Sequence, residues 1–231
     1  MAYHDPFLTG DALMVHDVRS VLGYHGNEIG RYQQLYSAEG ALFNPNFWAL
    51  TNARYLLTNG EVAQLERLVG PVPNAAGTQV WLYRLPGDNP AAWITPIAVT
   101  AADEQVLPTL LDPRFDPRRA AIFAPDAPIR PAENVRVLPP PLSASVRMTS
   151  HAPGRIELAI DGEVPEGAGL VVSENFYPGW RATDDGRETA VSRVDYTLVG
   201  LQLPADARSV SLRFDNARDE HQSPRGVGHH R

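Results

Sequence analysis

Three aromatic side chains crowd one turn of the sequence, at Phe176, Tyr177 and Trp180. Exposed tyrosine and tryptophan rings can stack on the apolar face of a pyranose, which makes Tyr177 and Trp180 candidate sugar-binding residues. Between them, Pro178 presets the first central angle of a turn, and Gly179 permits the positive φ that a type II turn then needs. The same pattern also suits a structural corner that holds two strands together, and both interpretations stay open.

A second turn follows at Asp185-Gly186, where both residues can take positive φ, so the dipeptide predicts a two-residue hairpin. Adjacent acidic residues raise the question of acid–base catalysis, but a glycosidase holds its two carboxyl groups about 5–9 Å apart across a cleft. Neighbouring side chains in a turn point apart and into water, so we assign no catalytic residue. The acidic pairs are Asp103-Glu104, Asp184-Asp185 and Asp219-Glu220.

Histidines are concentrated near the two ends of the sequence. Their spacings match no zinc pattern, and the chain has no cysteine that could complete one. We therefore predict no metal ligand among them. The residues concerned are His4-Asp5, His16-Asp17, His25, His229 and His230.

The motifs of nucleophilic and nucleotide-dependent enzymes are also missing from the sequence. There is no Gly-x-Ser-x-Gly element, and Gly167-Ala168-Gly169 leads into a strand instead of a helix. The net charge of −7 disfavours phosphate backbones as ligands. We predict no cofactor and no nucleic-acid partner.

The first half of the chain mixes helix and strand patterns. Helical spacing predicts helices over 27–38, from Pro45 onward and over 102–111, with Asn27 as a cap of the first and Pro108 kinking or shortening the last. Compact apolar runs predict strands over 54–58, 79–85, 93–100 and 120–124, the third interrupted by Pro96.

The second half is nearly all β, with strands of about six residues at intervals of about ten, a pattern typical of a β-sandwich or jelly roll. Residues 125–142 are rich in proline, and pairing is expected to resume at Val135. The predicted fold class is α+β: a mixed α/β region over 1–130, an antiparallel β-sandwich over 131–216 and a disordered tail over 217–231.

Length and composition limit the number of domains and the membrane segments that this chain can contain. The 231 residues suit one large or two small domains, and no run of 18 apolar residues exists that could span a bilayer. Residues 1–10 lack the apolar core of a signal peptide, so no targeting signal is expected in this chain.

The ordered set of motifs resembles YfhO-like bacterial membrane proteins. The match runs through 173–182, the Asp185-Gly186 hairpin, 195–201, 203–205 and the last strand at 210–214. Earlier segments agree with it, and the resemblance covers about residues 14–216. These segments are Gly23-Tyr24-His25 with Arg31-Tyr32, the run 50–57, and Phe115-Asp116-Pro117.

That resemblance implies a polytopic glycosyltransferase of the GT-C type, which transfers sugars from lipid-linked donors to cell-envelope polymers. The chain would be its large domain on the extracytoplasmic side, and the transmembrane part of the parent protein would be its partner. The catalytic acid of such enzymes lies in an early loop between membrane helices, which this chain does not contain, so no catalytic residue is carried over.

At its carboxyl end the sequence departs from the family, because the polar run 219–225 stands where a final membrane helix is usual. The chain is therefore a fragment, a frameshifted reading frame or a domain living alone. Three hypotheses follow: a non-catalytic extracytoplasmic domain of such a glycosyltransferase, a free-standing carbohydrate-binding module with a glycan as its partner, or a soluble hydrolase with its polar residues in one deep cleft.

Overall fold

The computed structural model describes His16, residues 18–22 and residues 30–215. This part of the chain is mostly β, with three sheets and a few short helices, in agreement with the predicted α+β class. The predicted tail over 217–231, the cap at Asn27 and the motif Gly23-Tyr24-His25 lie outside the described residues. No helix within the described ranges is long and apolar enough to cross a bilayer.

The helices lie before the β-rich region and between its first strands. They are α1 (Gly30–Ser37), a 3₁₀ turn (Ala41–Phe43), α2 (Pro45–Leu50) and α3 (Asp103–Leu111). Asn44 caps α2, because its side chain accepts a hydrogen bond from the Asn46 N–H at 2.8 Å, and Pro45 occupies the first helical position. Pro108 does not shorten α3, since buried Val106 and Leu110 anchor the helix on both sides of it.

A three-stranded antiparallel sheet has the order β1-β3-β2 and consists of β1 (Tyr55–Thr58), β2 (Glu66–Pro73) and β3 (Gln79–Arg84). The sequence pattern does not predict β2, because Gly70 and two prolines break its alternation and its register shifts twice. One face of this sheet packs on the core through Tyr83, while Val69 and Val72 on the other face are exposed.

A six-stranded sheet forms the middle of the fold. Its order is β4 (Ala92–Thr95), β9 (Gly169–Asn175), β13 (Leu198–Gln202), β12 (Ser192–Val194), β6 (Ala121–Phe123) and β5 (Ala98–Thr100). Neighbours run antiparallel, except β5 and β6, which are parallel. The predicted strand 93–100 is two strands, since Pro96 removes a backbone donor between them.

This sheet takes three strands from each side of residue 130. The six-stranded sheet therefore crosses the boundary predicted near residue 130. The sequence predicted that pairing resumes at Val135, and this prediction is wrong. Residues 124–144 form neither helix nor strand, because several prolines lack the necessary N–H groups. Arg119 holds this segment by donating to the carbonyls of Leu138 and Pro139.

An antiparallel five-stranded sheet completes the fold. Its order is β11 (Arg187–Thr189), β10 (Trp180–Asp184), β14 (Ser209–Phe214), β8 (Arg155–Asp161) and β7 (Ser145–Ala152). In β8, Ile156, Leu158 and Ile160 are all buried while their neighbours are not, as the alternation in the sequence predicts.

Two apolar clusters lie on opposite faces of the six-stranded sheet. In β9, Leu170 and Val172 join the cluster shared with the five-stranded sheet, whereas Val171 joins the cluster beneath the helices. Burial on both faces explains why this strand reads as a continuous apolar run. The six-stranded sheet is thus the central layer, with the helices packed on one face and the five-stranded sheet on the other.

Candidate functional site

The aromatic turn is the corner where the chain passes from the six-stranded to the five-stranded sheet. It follows β9, which ends at Asn175, and precedes β10, which begins at Trp180. The backbone N–H of Trp180 donates to the Tyr177 carbonyl at 3.4 Å, which closes a turn whose central residues are Pro178 and Gly179. Gly179 has a φ of +120°, so the corner takes up the backbone conformation that glycine permits.

Gly179 also lies too close to the last strand for a larger residue. A Cβ atom there would lie 2.7 Å from the Asp215 carbonyl oxygen and 3.2 Å from the Phe214 ring. The Asp215 N–H donates to the Gly179 carbonyl at 3.0 Å, which fastens the corner to the end of β14. The corner therefore has a structural role, whatever else it does.

Two rings of the corner pack against a third one from β14. The Trp180 and Phe214 ring centres are 5.5 Å apart at 64°, and those of Tyr177 and Phe214 are 6.4 Å apart at 72°. The Trp180 indole N–H donates to the Asn175 carbonyl at 3.2 Å. Trp180 is half-buried, whereas the side chain of Tyr177 is 44% exposed, so the two candidates differ in their access to a ligand.

An open groove of about 340 Å³ lies against these rings. The polar side chains in its lining are those of Glu174 and Asn175, and the Asn175 amide oxygen accepts from the Thr197 hydroxyl at 3.2 Å. Partial burial and the nearby Glu174 carboxylate both raise the pKa of Tyr177. The groove thus combines an apolar wall with one acidic group.

Glu174 connects the groove to a small polar cluster beside it. Its Oε2 lies 3.5 Å from Nε2 of His151 on β7, and the Arg19 guanidinium lies 3.0 Å from the same imidazole nitrogen. Neither His151 nor Arg19 belongs to the groove lining. His151 contacts the carboxylate from outside the lining, and Arg19 contacts His151.

Asp185 and Gly186 form the two-residue loop between β10 and β11, with φ values of 45° and 80°. The Asp185 carboxylate accepts from the N–H groups of Arg208 and Ser209 and from the Ser209 hydroxyl. This turn lies at the opposite end of β10 from Trp180, about 13 Å away along a five-residue strand. The structure therefore does not bring the predicted hairpin to the aromatic groove.

Within the described residues, the aspartates of the acidic pairs have different surroundings. Asp184 is buried with a raised pKa, chiefly through desolvation, while its neighbour Asp185 faces Ser209. Asp103 pairs with Arg31 and Arg193 at 3.0 and 2.8 Å. Asp219-Glu220 lies outside the described residues.

A further carboxylate, Asp195, is fully buried. Its Oδ1 accepts from the Ile122 N–H at 2.8 Å, and its Oδ2 has no hydrogen-bond partner. Burial raises the pKa of this aspartate to about 7, against the lowering effect of the Ile122 hydrogen bond. Its titration therefore bears on the stability of the fold.

Potential metal ligands do not converge in the described part of the chain, where no group of three or more such side chains comes together. His4, His25, His229 and His230 lie outside the described residues, as do Asp5 and Asp17.

The groove also includes Phe214, Glu174 and Gly154, which the sequence pattern did not predict as members of a site. The only signal for Phe214 was an aromatic at the end of the last strand, and nothing local to it predicts that Trp180 and Phe214 are cross-strand partners.

The whole chain matches no family model, no curated protein and no solved structure.

Proposed function

We propose that this chain is a non-catalytic extracytoplasmic domain of a YfhO-like membrane glycosyltransferase, and that its aromatic groove holds a cell-envelope glycopolymer. The observation that supports this most directly is that the segments carrying the resemblance contact one another. The Ser173 hydroxyl donates to the Leu50 carbonyl at 2.8 Å, although 123 positions separate them. The Phe176 N–H donates to the Thr197 carbonyl at 2.8 Å.

Among the described residues, four of these segments form or border strands and contact one another: 50–57 contacts 173–182, and 173–182 contacts 195–201 and the last strand. A set of motifs that interlocks in this way favours one shared architecture over unrelated coincidences.

The finer architecture that we propose is a β-sandwich formed by the two larger sheets. Its support is the apolar cluster to which both contribute, with Leu158 and Leu212 from the five-stranded sheet and Leu170 and Leu201 from the six-stranded sheet. Such a sandwich presents its corners and loops at two ends. The aromatic groove is one of those corners.

The composition of the groove supports binding over catalysis. Glycoside chemistry uses two carboxyl groups, whereas the groove lining has one, that of Glu174. The hydrolase hypothesis requires several polar groups in a deep cleft, and this open groove gives it little support.

The test of the parent protein uses cells that encode the chain and an antibody raised against it. We expect the antibody to detect a membrane-fraction polypeptide much larger than the 25.3 kDa of this chain. Protease added outside intact spheroplasts should destroy the epitope. A species of about the chain's own mass in the cytosol, protected from protease, would overturn the proposal.

The exposed ring of Tyr177 also favours a second candidate, a free-standing carbohydrate-binding module. The same experiment separates the two, since a module would be detected at the chain's own mass outside the cell.

A further inference from the structure

We propose that the groove beside Tyr177 selects glycans that carry free amino groups, so that its ligand is a cationic amino sugar and not a neutral or acidic one. This inference rests on the glycan contact proposed above. It adds the chemical class of the sugar.

The first support is the arrangement of the aromatic rings. Tyr177 and Trp180 both meet Phe214 at steep angles, 72° and 64°, so the three rings form walls and not a single flat platform. A neutral pyranose needs only one exposed ring face. Several rings around one groove, in contrast, favour a cation, which is attracted by the electron-rich faces.

The second support is the carboxylate in that wall. Glu174 lines the groove together with Tyr177 and has a side chain that is 34% exposed, so an ammonium group that lies over the rings can reach it. Its charge also acts on the Tyr177 phenol, whose pKa it raises in addition to the effect of burial. The negative field therefore extends over the aromatic surface where a sugar would lie.

The charges around the groove favour the same class. Asn175, the other polar lining side chain, is neutral, and the two basic groups of the cluster, His151 and Arg19, lie outside the lining. A uronate or phosphate would meet Glu174 at close range. The chain's net charge of −7 attracts a polycation from a distance and repels a polyanion.

The experiment compares a cationic and a neutral probe with the same sugar backbone and linkage: β-1,4-linked glucosamine oligomers and the N-acetylated oligomers of the same length. Calorimetric titration at low salt should give a five- to tenfold lower Kd for the amine, the approximate value of one exposed ion pair together with a cation–π contact. Added salt should reduce this preference, because both contributions are screened.

Variants assign the preference to named groups. Glu174→Gln should reduce the preference to about two- to fourfold, since it leaves only the cation–π contribution. Tyr177→Ala should weaken the binding of both oligomers. His151→Asn should leave the preference in place, because the Glu174 charge remains. The matched controls are Glu188→Gln and Tyr55→Ala, an exposed acid and a 58% exposed tyrosine on other strands, and they should change neither Kd.

Each outcome has a defined meaning. Equal binding of the two oligomers overturns the amine preference and leaves the glycan contact standing. A preference that disappears with His151 instead of Glu174 also overturns it. If neither oligomer binds, the glycan contact fails and this inference with it, while the membrane-fraction experiment still decides the parent protein. Far-UV circular dichroism of every variant shows that lost binding is not lost folding.

Discussion

The Asp195 carboxylate receives one hydrogen bond, from the Ile122 N–H at 2.8 Å, and its other oxygen is buried without a partner. The same two residues also pair through the Asp195 N–H and the Ile122 carbonyl at 2.8 Å. This double contact joins β6 to the β12–β13 turn. Its cost is a carboxylate that is poorly solvated when ionised.

Asp195 should make the stability of the chain fall as pH rises. Its native pKa is raised to about 7, and an unfolded aspartate titrates near about 3.9. Between these values the native state binds the proton more tightly, so the free energy of unfolding should decrease by about 2–4 kcal/mol from pH 4 to pH 7.

The variant Asp195→Asn removes this titration, and urea unfolding at pH 5 and pH 8 measures the effect. The variant should gain stability relative to the wild type at pH 8 and lose that advantage at pH 5. Asp126→Asn, an exposed aspartate, is the control and should leave the pH dependence unchanged. If the free energy of unfolding of Asp195→Asn depends on pH as that of the wild type does, Asp195 is not the group responsible.

Asp185 should act with the opposite sign. Its hydrogen bonds from the Ser209 hydroxyl and from two backbone N–H groups lower its pKa, so the stability that it contributes is present above about pH 4 and is lost as pH falls through its native pKa. Asp185→Ala should cost about 1–2 kcal/mol in urea unfolding at pH 7, because it also places alanine at positive φ.

Asp185→Asn is the matched control, since asparagine tolerates positive φ and keeps one acceptor oxygen. It should cost less than the alanine variant. Equal losses would mean that neither the positive φ nor the remaining acceptor oxygen contributes to stability.

Gly179→Ala should strongly destabilise the corner. The new Cβ would lie 2.7 Å from the Asp215 carbonyl oxygen at a φ of +120°, and we expect a loss of about 2–4 kcal/mol in urea unfolding. Gly186→Ala, at a φ of +80° with nothing within 4 Å of its Cβ, should cost only about 1 kcal/mol. A similar loss at both positions would contradict the close approach seen at Gly179.

Trp180 and Tyr177 should separate stability from binding. Trp180→Ala removes the ring contact with Phe214 and the indole hydrogen bond, and should cost about 2–4 kcal/mol in thermal or urea unfolding. Tyr177→Ala, at a 44% exposed position, should cost under about 1 kcal/mol and weaken glycan binding. If Trp180→Ala weakened binding at little cost in stability instead, Trp180 would be the ring that contacts the glycan.

The fragment 131–215 should not fold alone. It would lack β4, β5 and β6, and so half of the six-stranded sheet. We expect a proton–nitrogen NMR spectrum without dispersion, which should recover when the fragment 1–130 is added. A dispersed spectrum of 131–215 by itself would instead support an independent domain.

The sequence predicts most strands of the second half because alternation is a local property. Ile156, Leu158 and Ile160 alternate with less buried neighbours, and all three lie in β8. In contrast, β2 was missed because glycine, proline and register shifts interrupt the same signal.

The site could be predicted only in part, for a related reason. Tyr177, Pro178, Gly179 and Trp180 are adjacent in sequence, so their turn is visible there. Phe214 completes the groove through the pairing of β10 with β14, and such pairing depends on non-local packing that no local pattern records.

The shared six-stranded sheet also sets a schedule for synthesis. Strand β4 leaves the ribosome roughly seventy residues before β9, its neighbour in that sheet, which corresponds to several seconds of translation. Throughout this interval the segment Ala92–Thr95 lacks the strand with which it pairs in the folded chain. The nascent first half is therefore the kind of segment that holding chaperones recognise, and the cell's capacity to protect it should limit the yield of the folded protein.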